Sequence, residues 1–401
     1  MQTEAAAGAA AVPRAPGWET RRAIAVVGGT ALAISTVAFF RIPLLPSIGH
    51  ALSLRPGLLS LVTAVFGVGR LAADMPAGRI ADRFAAPRAL AGGAVLVAGG
   101  SLLLAAAGSL GEALAAAALL GVGSALANTT GMMFFSRAPA VRRGRSLAVF
   151  SAALLGGQSF GPALAGGLAG LAGWRGAEAA AGIAALLLAL ACAGTAGGDA
   201  RADRDDEPLP AADAVAPAVR AVLYSLPFVV FFGLGAMPQT IVPLIGAHAY
   251  GLSAGKIGLA LGLGGIARFA GVAAGGQVSD RIGRRPALLP GLAISAAGIA
   301  LLGVDDGVWL WLVAIALMSF GSYGVTVGAT MLADLSGAGG VGRRLGSFRF
   351  VGDLGLILGP LSTGFLYDRV GVVAAVSLVA ALLGACCLAA GLVLPETKAH
   401  V

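Results

Sequence analysis

The sequence from Leu54 to Gly173 recurs, without a gap, from Leu252 to Gly371. Arg70 and Arg268, Asp82 and Asp280, Arg83 and Arg281, Arg145 and Arg343, and Pro162 and Pro360 all stand 198 positions apart, as in 280 − 82 = 198. Gly57/Gly255, Gly67/Gly265, Gly78/Gly276, Ser124/Ser322, Gly161/Gly359 and Gly173/Gly371 keep the same offset. Shared composition brings chance matches among Ala, Leu and Val, but it does not align Asp, Arg and Gly-Pro at one spacing. The chain is two copies of one unit.

The apolar runs say what that unit is. Apolar residues make up 58% of the chain and charged residues 11%, and the mean hydropathy is +0.89. A soluble globular protein carries roughly 25% charged residues. That shortfall excludes a soluble enzyme, a secreted disulfide scaffold and a disordered chain. A bilayer-crossing helix needs about 20 apolar residues, because each backbone N–H and C=O must find its partner internally. Spans of that kind run 23–48, 58–79, 88–108, 112–135, 146–169 and 176–195, then 221–246, 256–277, 286–303, 308–332, 345–367 and 372–394. Two six-helix units in the same orientation require a pseudo-two-fold axis along the membrane normal, which is transporter architecture. The expected fold is an all-α membrane protein with 12 transmembrane helices in two related six-helix bundles.

Residues 1–22 are expected to form a disordered cytoplasmic N-terminus, having neither the apolar core nor the cleavage site of a signal peptide. The first half covers 23–195 and the second 221–394, with 196–220 a solvated cytoplasmic linker holding Asp199, Asp203, Asp205, Asp206 and Glu207, and 395–401 a tail. Basic residues follow every other span: Arg79, Arg83 and Arg88, then Arg137, Arg142, Arg143 and Arg145, then Arg281, Arg284 and Arg285, then Arg343 and Arg344. This asymmetry places those loops and both termini in the cytoplasm of a cell (plasma or inner) membrane. The net charge of +8 thus serves topology and no nucleic-acid partner is expected. Cys192, Cys386 and Cys387 lie in apolar segments without metal-ligand spacing and read as packing residues. No metal or cofactor is expected.

The stretch Gly276-Gln277-Val278-Ser279-Asp280-Arg281-Ile282-Gly283-Arg284-Arg285 resembles the G-x-x-x-D-R-x-G-R-R signature of the major facilitator superfamily. Its first copy keeps Gly78, Asp82 and Arg83 but lacks the later Gly-Arg pair. Gly161-Pro162, repeated as Gly359-Pro360, is similar to the fifth-helix motif of that superfamily's proton-coupled drug antiporters, G-P-x-x-G-G. Those antiporters also carry a fourth-helix Arg where this chain has Ala117. The resemblance implies two bundles around a central cavity, alternating access, and a latch at the cytoplasmic side built from Asp82, Asp280 and the loop arginines. The other reading of those residues is loop order and topology charge alone.

Ionisable groups inside spans are costly at the bilayer centre, at least ~2.5 kcal/mol each unless paired or hydrated. Arg70 and Asp74 lie one turn apart on the second span, and Arg349 and Asp353 on the eleventh. At a helical rise of about 1.5 Å per residue, Arg349 lies about 6 Å deep, Asp74 about 9, Asp353 about 12 and Arg70 about 15. Two arrangements fit: cross-seam pairs Asp74–Arg349 and Arg70–Asp353 that gate the halves or couple protons, or two self-neutralising intrahelical pairs. Arg268 lacks an acid partner on its own helix, and faces the cavity or caps carbonyls. Arg41 holds an anionic substrate group or snorkels outward. Asn128, Gln239, Tyr323 and Thr326 are further candidates for substrate binding, with Thr129, Thr130, Thr240 and Thr330 weaker ones and Gln158 on the fifth span. An amide cannot satisfy all its hydrogen bonds on its own helix, whereas a Ser or Thr commonly can.

The expected function is secondary active transport of a small molecule, with proton-coupled efflux of drug-like or amphipathic compounds as the first reading. Asp74, Asp353 and Glu178 are the acids available for coupling. Uptake of an organic anion is the alternative, favoured by Arg41, Arg70 and Arg268. His50, His248 and His400 show no metal spacing and no nucleophile–base set is present, so no enzyme is expected, and the sequence shows no soluble signalling domain of a sensor. The expected partners are a small-molecule substrate, protons and membrane lipid, with the chain acting as a monomer.

Overall fold

A computed structural model describes residues 21–136, 140–194, 216–304, 306–335 and 341–397. Most of the expected N-terminus, linker and tail, and the Asp82 side chain, lie outside the described residues. The described chain is helical throughout, the arrangement that pairs every backbone group without water.

In chain order the first copy runs α1 (Arg21–Ala38), α2 (Leu45–Ala51), α3 (Pro56–Arg83), α4 (Ala86–Ala106), α5 (Leu110–Ser136) and α6 (Ala140–Gly194). The second runs α7 (Pro217–Ala236), α8 (Val242–His248), α9 (Ala254–Ile282), α10 (Arg284–Leu301), α11 (Gly307–Gly321), α12 (Gly324–Asp334), α13 (Val341–Val370) and α14 (Val372–Val393). The repeat is visible in these bounds, since α3 begins at Pro56 and α9 at Ala254, again 254 − 56 = 198. Gly173 turns the chain inside α6 with φ +67°, and Gly371 does the same between α13 and α14 with φ +105°. Both need a residue without Cβ. Among the described residues, ten stretches are long and apolar enough to cross a bilayer. The longest, Gly144–Gly194, holds two crossings because of the Gly173 turn, and α10, which is not among them, supplies the remaining one.

Three expected spans are not single helices. The first breaks at a 3₁₀ turn, Ile42–Leu44, and the seventh at a π-helical turn, Met237–Ile241. Pro43, Pro46, Pro238 and Pro243 lack the N–H that would continue each helix. The tenth breaks at Ser322–Tyr323, between α11 and α12. The seventh also starts at Pro217 instead of 221.

The halves meet along two equivalent seams, α3 against α13 and α6 against α9. At the end remote from the basic loops, both are closed to van der Waals contact. A Cβ at Gly57 would collide with Asp368 and Gly364, and one at Gly166 with Ala254 and Gly255. Gly258 meets the Pro162 carbonyl in the same way. Toward the basic end the glycines stand clear, for a Cβ at Gly78, Gly144, Gly276 or Gly346 would meet nothing within 4 Å. Large apolar side chains such as Leu171, Trp309 and Leu392 are exposed on the outside of the bundles, the surface that lipid covers in a multi-pass membrane protein.

Candidate functional site

A cavity of about 160 Å³ lies between the halves at mid-depth. Its polar wall is Arg70, Asp353, Gln158, Arg268 and Gln239, and Phe39, Phe231, Leu261 and Leu356 supply apolar surface. Each seam contributes one arginine, and the two are repeat mates. A pocket of this kind, apolar with a few convergent polar groups, is the usual form of a small-molecule site.

On the α3–α13 seam, Arg70 Nη2 and Asp353 Oδ1 form an ion pair at 3.8 Å, with side chains 12% and 1% exposed. This is one of the two cross-seam pairs that the sequence allows. The other does not close. Asp74 and Arg349 lie within electrostatic range, but Arg349 Nη1 donates to the Asn128 side-chain oxygen at 3.1 Å when the amide is turned to accept. The Asp74 and Asp353 carboxyls stand within hydrogen-bond reach of each other, yet Asp74 Oδ1 and both Asp353 oxygens have no donor. Two carboxylates have no proton to share, so a bond between them forms only when one is protonated.

On the α6–α9 seam, Arg268 Nη1 donates to Gln158 Oε1 at 3.1 Å. Among the described residues no carboxylate pairs with Arg268. The cavity therefore holds one arginine neutralised by Asp353 and one that keeps its charge.

At the closed end of the cavity, Arg41 Nη2 reaches Gln239 Oε1 at 3.5 Å. These residues are repeat mates, since 239 − 41 = 198, so they meet where a pseudo-two-fold axis brings equivalent positions together. Arg41 also donates to the Ala38 carbonyl at the break of the first span and sits 4.0 Å over the Phe66 ring. It is fully buried, which replaces the expectation of an outward snorkel. Thr63 Oγ1 donates to the Gln239 carbonyl at 3.3 Å, a further tie between halves.

The Gly-Pro segments hold these elements in place. Gly161 packs on the Thr36 carbonyl of α1, and Gly359 on the Phe232 carbonyl of α7. Neither approach leaves room for a Cβ, and one residue further round the helix the Pro162 carbonyl meets Gly258 of α9.

Other candidates lie away from the cavity. Tyr323 is buried in the second bundle, its ring in a slot over Gly275 and Gly291. Thr326 is exposed on α12, and its carbonyl accepts from Thr330 Oγ1 at 3.1 Å. Asn128 serves Arg349 instead of lining the cavity. The second-copy signature ties α9, α10 and α12 within one half. Arg284 donates to Asp280 at 2.6 Å and to Asp334 at 3.1 Å. Glu396, which the sequence reading passed over, accepts from the backbone N–H groups of Arg284 at 2.8 Å and Arg285 at 3.0 Å. A carboxylate at the free N–H groups of a helix start is favoured by the helix dipole.

A duplicated, membrane-embedded helical bundle around a cavity between its halves is a transporter of small molecules and not an enzyme. A sequence profile of the Major Facilitator Superfamily matches residues 24–267 and 223–401, and the chain belongs to that superfamily. It is similar to the inner membrane transport protein YajR of Escherichia coli (strain K12), 29% identical over 134 residues. That match spans 32% of this chain and only 29% of YajR. Among solved structures, a bacterial homolog of the human lysosomal transporter Spinster, inward-facing and occupied, superposes with a TM-score of 0.77 at 15% identity over 92% of this chain and 96% of that one. The human organic anion transporter MFSD10 (TETRAN) gives 0.64 at 17% identity over 92% and 99%. At these identities the likeness concerns the fold alone.

Proposed function

We propose that this chain is a proton-coupled, alternating-access carrier of a small amphipathic molecule bearing an anionic group. The observation that carries this reading is Arg268, a cavity arginine with a neutral partner and no acid. A half-buried cation without a counter-charge is costly in proportion to its desolvation, and a substrate anion supplies the missing charge. Phe39 and Phe231 offer the apolar body of such a substrate a surface. A purely cationic drug finds no free acid here, because Asp353 faces Arg70.

Asp74 and Asp353 are the coupling groups in this reading. As the bundles rock, Arg70 and Arg349 change their distance from the two acids, and the acid that loses its arginine takes the proton. With the basic loops in the cytoplasm, as the positive-inside rule places them, the arrangement is inward-facing and closed outside. Export is the direction favoured by the likeness of Gly161-Pro162 to the drug antiporters.

Purified protein in vesicles, with an imposed pH gradient and a fluorescent amphipathic carboxylate inside or outside, tests the proposal. Gradient-driven movement of the carboxylate with counter-movement of protons supports export. Movement with the protons indicates uptake. No gradient response, or transport of cations alone, overturns the coupled-anion reading.

A further inference from the structure

A second buried charge system runs from the closed end of the cavity into the first half. Glu178 sits on the outer turn of the sixth crossing, fully buried, with neither carboxylate oxygen bonded to a donor. It faces Ser101 of α4 and Arg41 at the break of the first span, and no other charged side chain acts on it. Ser101 Oγ and Arg41 Nε are likewise buried without a partner. Arg41 and Glu178 come no closer than the 4.0 Å limit of an ion pair. The guanidinium is instead turned across the seam to Gln239. This end of the protein is closed, so the closed state is one in which the Arg41–Glu178 pair is broken.

A carboxylate surrounded by helices in a bilayer, with one serine hydroxyl in reach, is still short of a partner for its full charge. It gains most by pairing with a cation or by taking a proton. Arg41 is the one cation within reach, and it has two possible partners. We propose that Glu178 is a proton-binding site that controls the outer gate: the protonated acid leaves Arg41 on Gln239 and the gate closed, and the carboxylate draws Arg41 inward and releases the gate. The proton enters from the outer solution when that side is open and bonds to a Glu178 oxygen as the Arg41 pair breaks. No other bond changes. The inference rests on the alternating-access reading but not on Asp74 and Asp353.

The test uses the full chain with Cys192, Cys386 and Cys387 replaced and spin labels at Arg55 and Arg369. Both positions are exposed and lie near the outer ends of α3 and α13. Acidification is expected to favour the short distance, with an about tenfold change in the open-to-closed ratio, equivalent to one pK unit of coupling. Glu178→Gln should stay closed at every pH, and Arg41→Gln should lose the response. Glu178→Asp, which keeps the carboxyl, should retain it. A Glu178→Gln protein that titrates like the parent overturns the proposal, even if it is less heat-stable. Should Glu178→Gln not fold, loss of the response in Glu178→Asp overturns it. A failure of the cavity coupling scheme is read separately, from gradient-driven transport by the parent protein, which does not depend on the Glu178 variants.

Discussion

The two seams are built alike and charged differently. At the ends remote from the basic loops both seams close on glycines that leave no room for a Cβ, against the Asp368 and Ser60 side chains on α3–α13 and against backbone on α6–α9. At mid-depth each presents an arginine from equivalent positions, Arg70 and Arg268. One meets Asp353 and the other meets Gln158. Duplication thus supplied the moving parts twice, and substitution on the partner helices separated their tasks. In this account the acidic seam handles protons and the neutral seam handles the substrate anion.

The largest effect expected concerns what the seams share. Gly166→Leu and its repeat mate Gly364→Leu should each abolish transport, because either side chain collides with the opposite helix and holds the outer end apart. Outer-side accessibility of engineered cysteines checks this, and a change confined to one of the two variants would break the equivalence. Asp353→Asn comes next. Gradient-driven accumulation should fall on the order of a hundredfold, as expected for about 3 kcal/mol of lost charge pairing, whereas substrate exchange without a gradient persists.

Much of this was legible in the sequence because charges inside apolar helices are few and must be accounted for. The repeat follows from positions of Asp, Arg, Gly and Pro and the crossings from the apolar runs between them, and the Arg70–Asp353 pair was one of the two arrangements those positions allowed. The Arg268–Gln158 bond was harder, since its members lie on helices of different halves and a glutamine in a membrane span carries no charge to be balanced. Tyr323 misled for the opposite reason. Its hydroxyl suggested a cavity, but Gly275 and Gly291 open a slot for the ring, and only the three-dimensional packing of α9 and α10 reveals it. Arg41 and Gln239 could have been paired beforehand, for they obey the 198-residue offset. The capping of α10 by Glu396 depends on the path of the chain after α14, which periodicity does not encode.

Two smaller effects sharpen the contrast between the seams. Arg268→Gln should weaken binding of an anionic amphiphile about tenfold to a hundredfold, the range for losing one charged hydrogen bond of about 1.5–3 kcal/mol. Binding titrations with the carboxylate and its neutral amide check it, and the amide should be unaffected. Gln158→Leu leaves the charge in place and removes only its orienting acceptor. A loss of roughly threefold to fivefold is expected there, because the charge stays and only its orientation is lost, on the order of 1 kcal/mol.

The most direct test makes the neutral seam acidic. With Gln158→Glu, the new carboxylate stands where Gln158 Oε1 meets Arg268, and binding of the anionic amphiphile is measured by titration in parallel with the pH-gradient response. The account predicts that anion binding collapses while a pH-gradient response remains for the neutral amide. Unchanged anion binding in Gln158→Glu would contradict it, because the charge of Arg268 would then have no part in holding substrate.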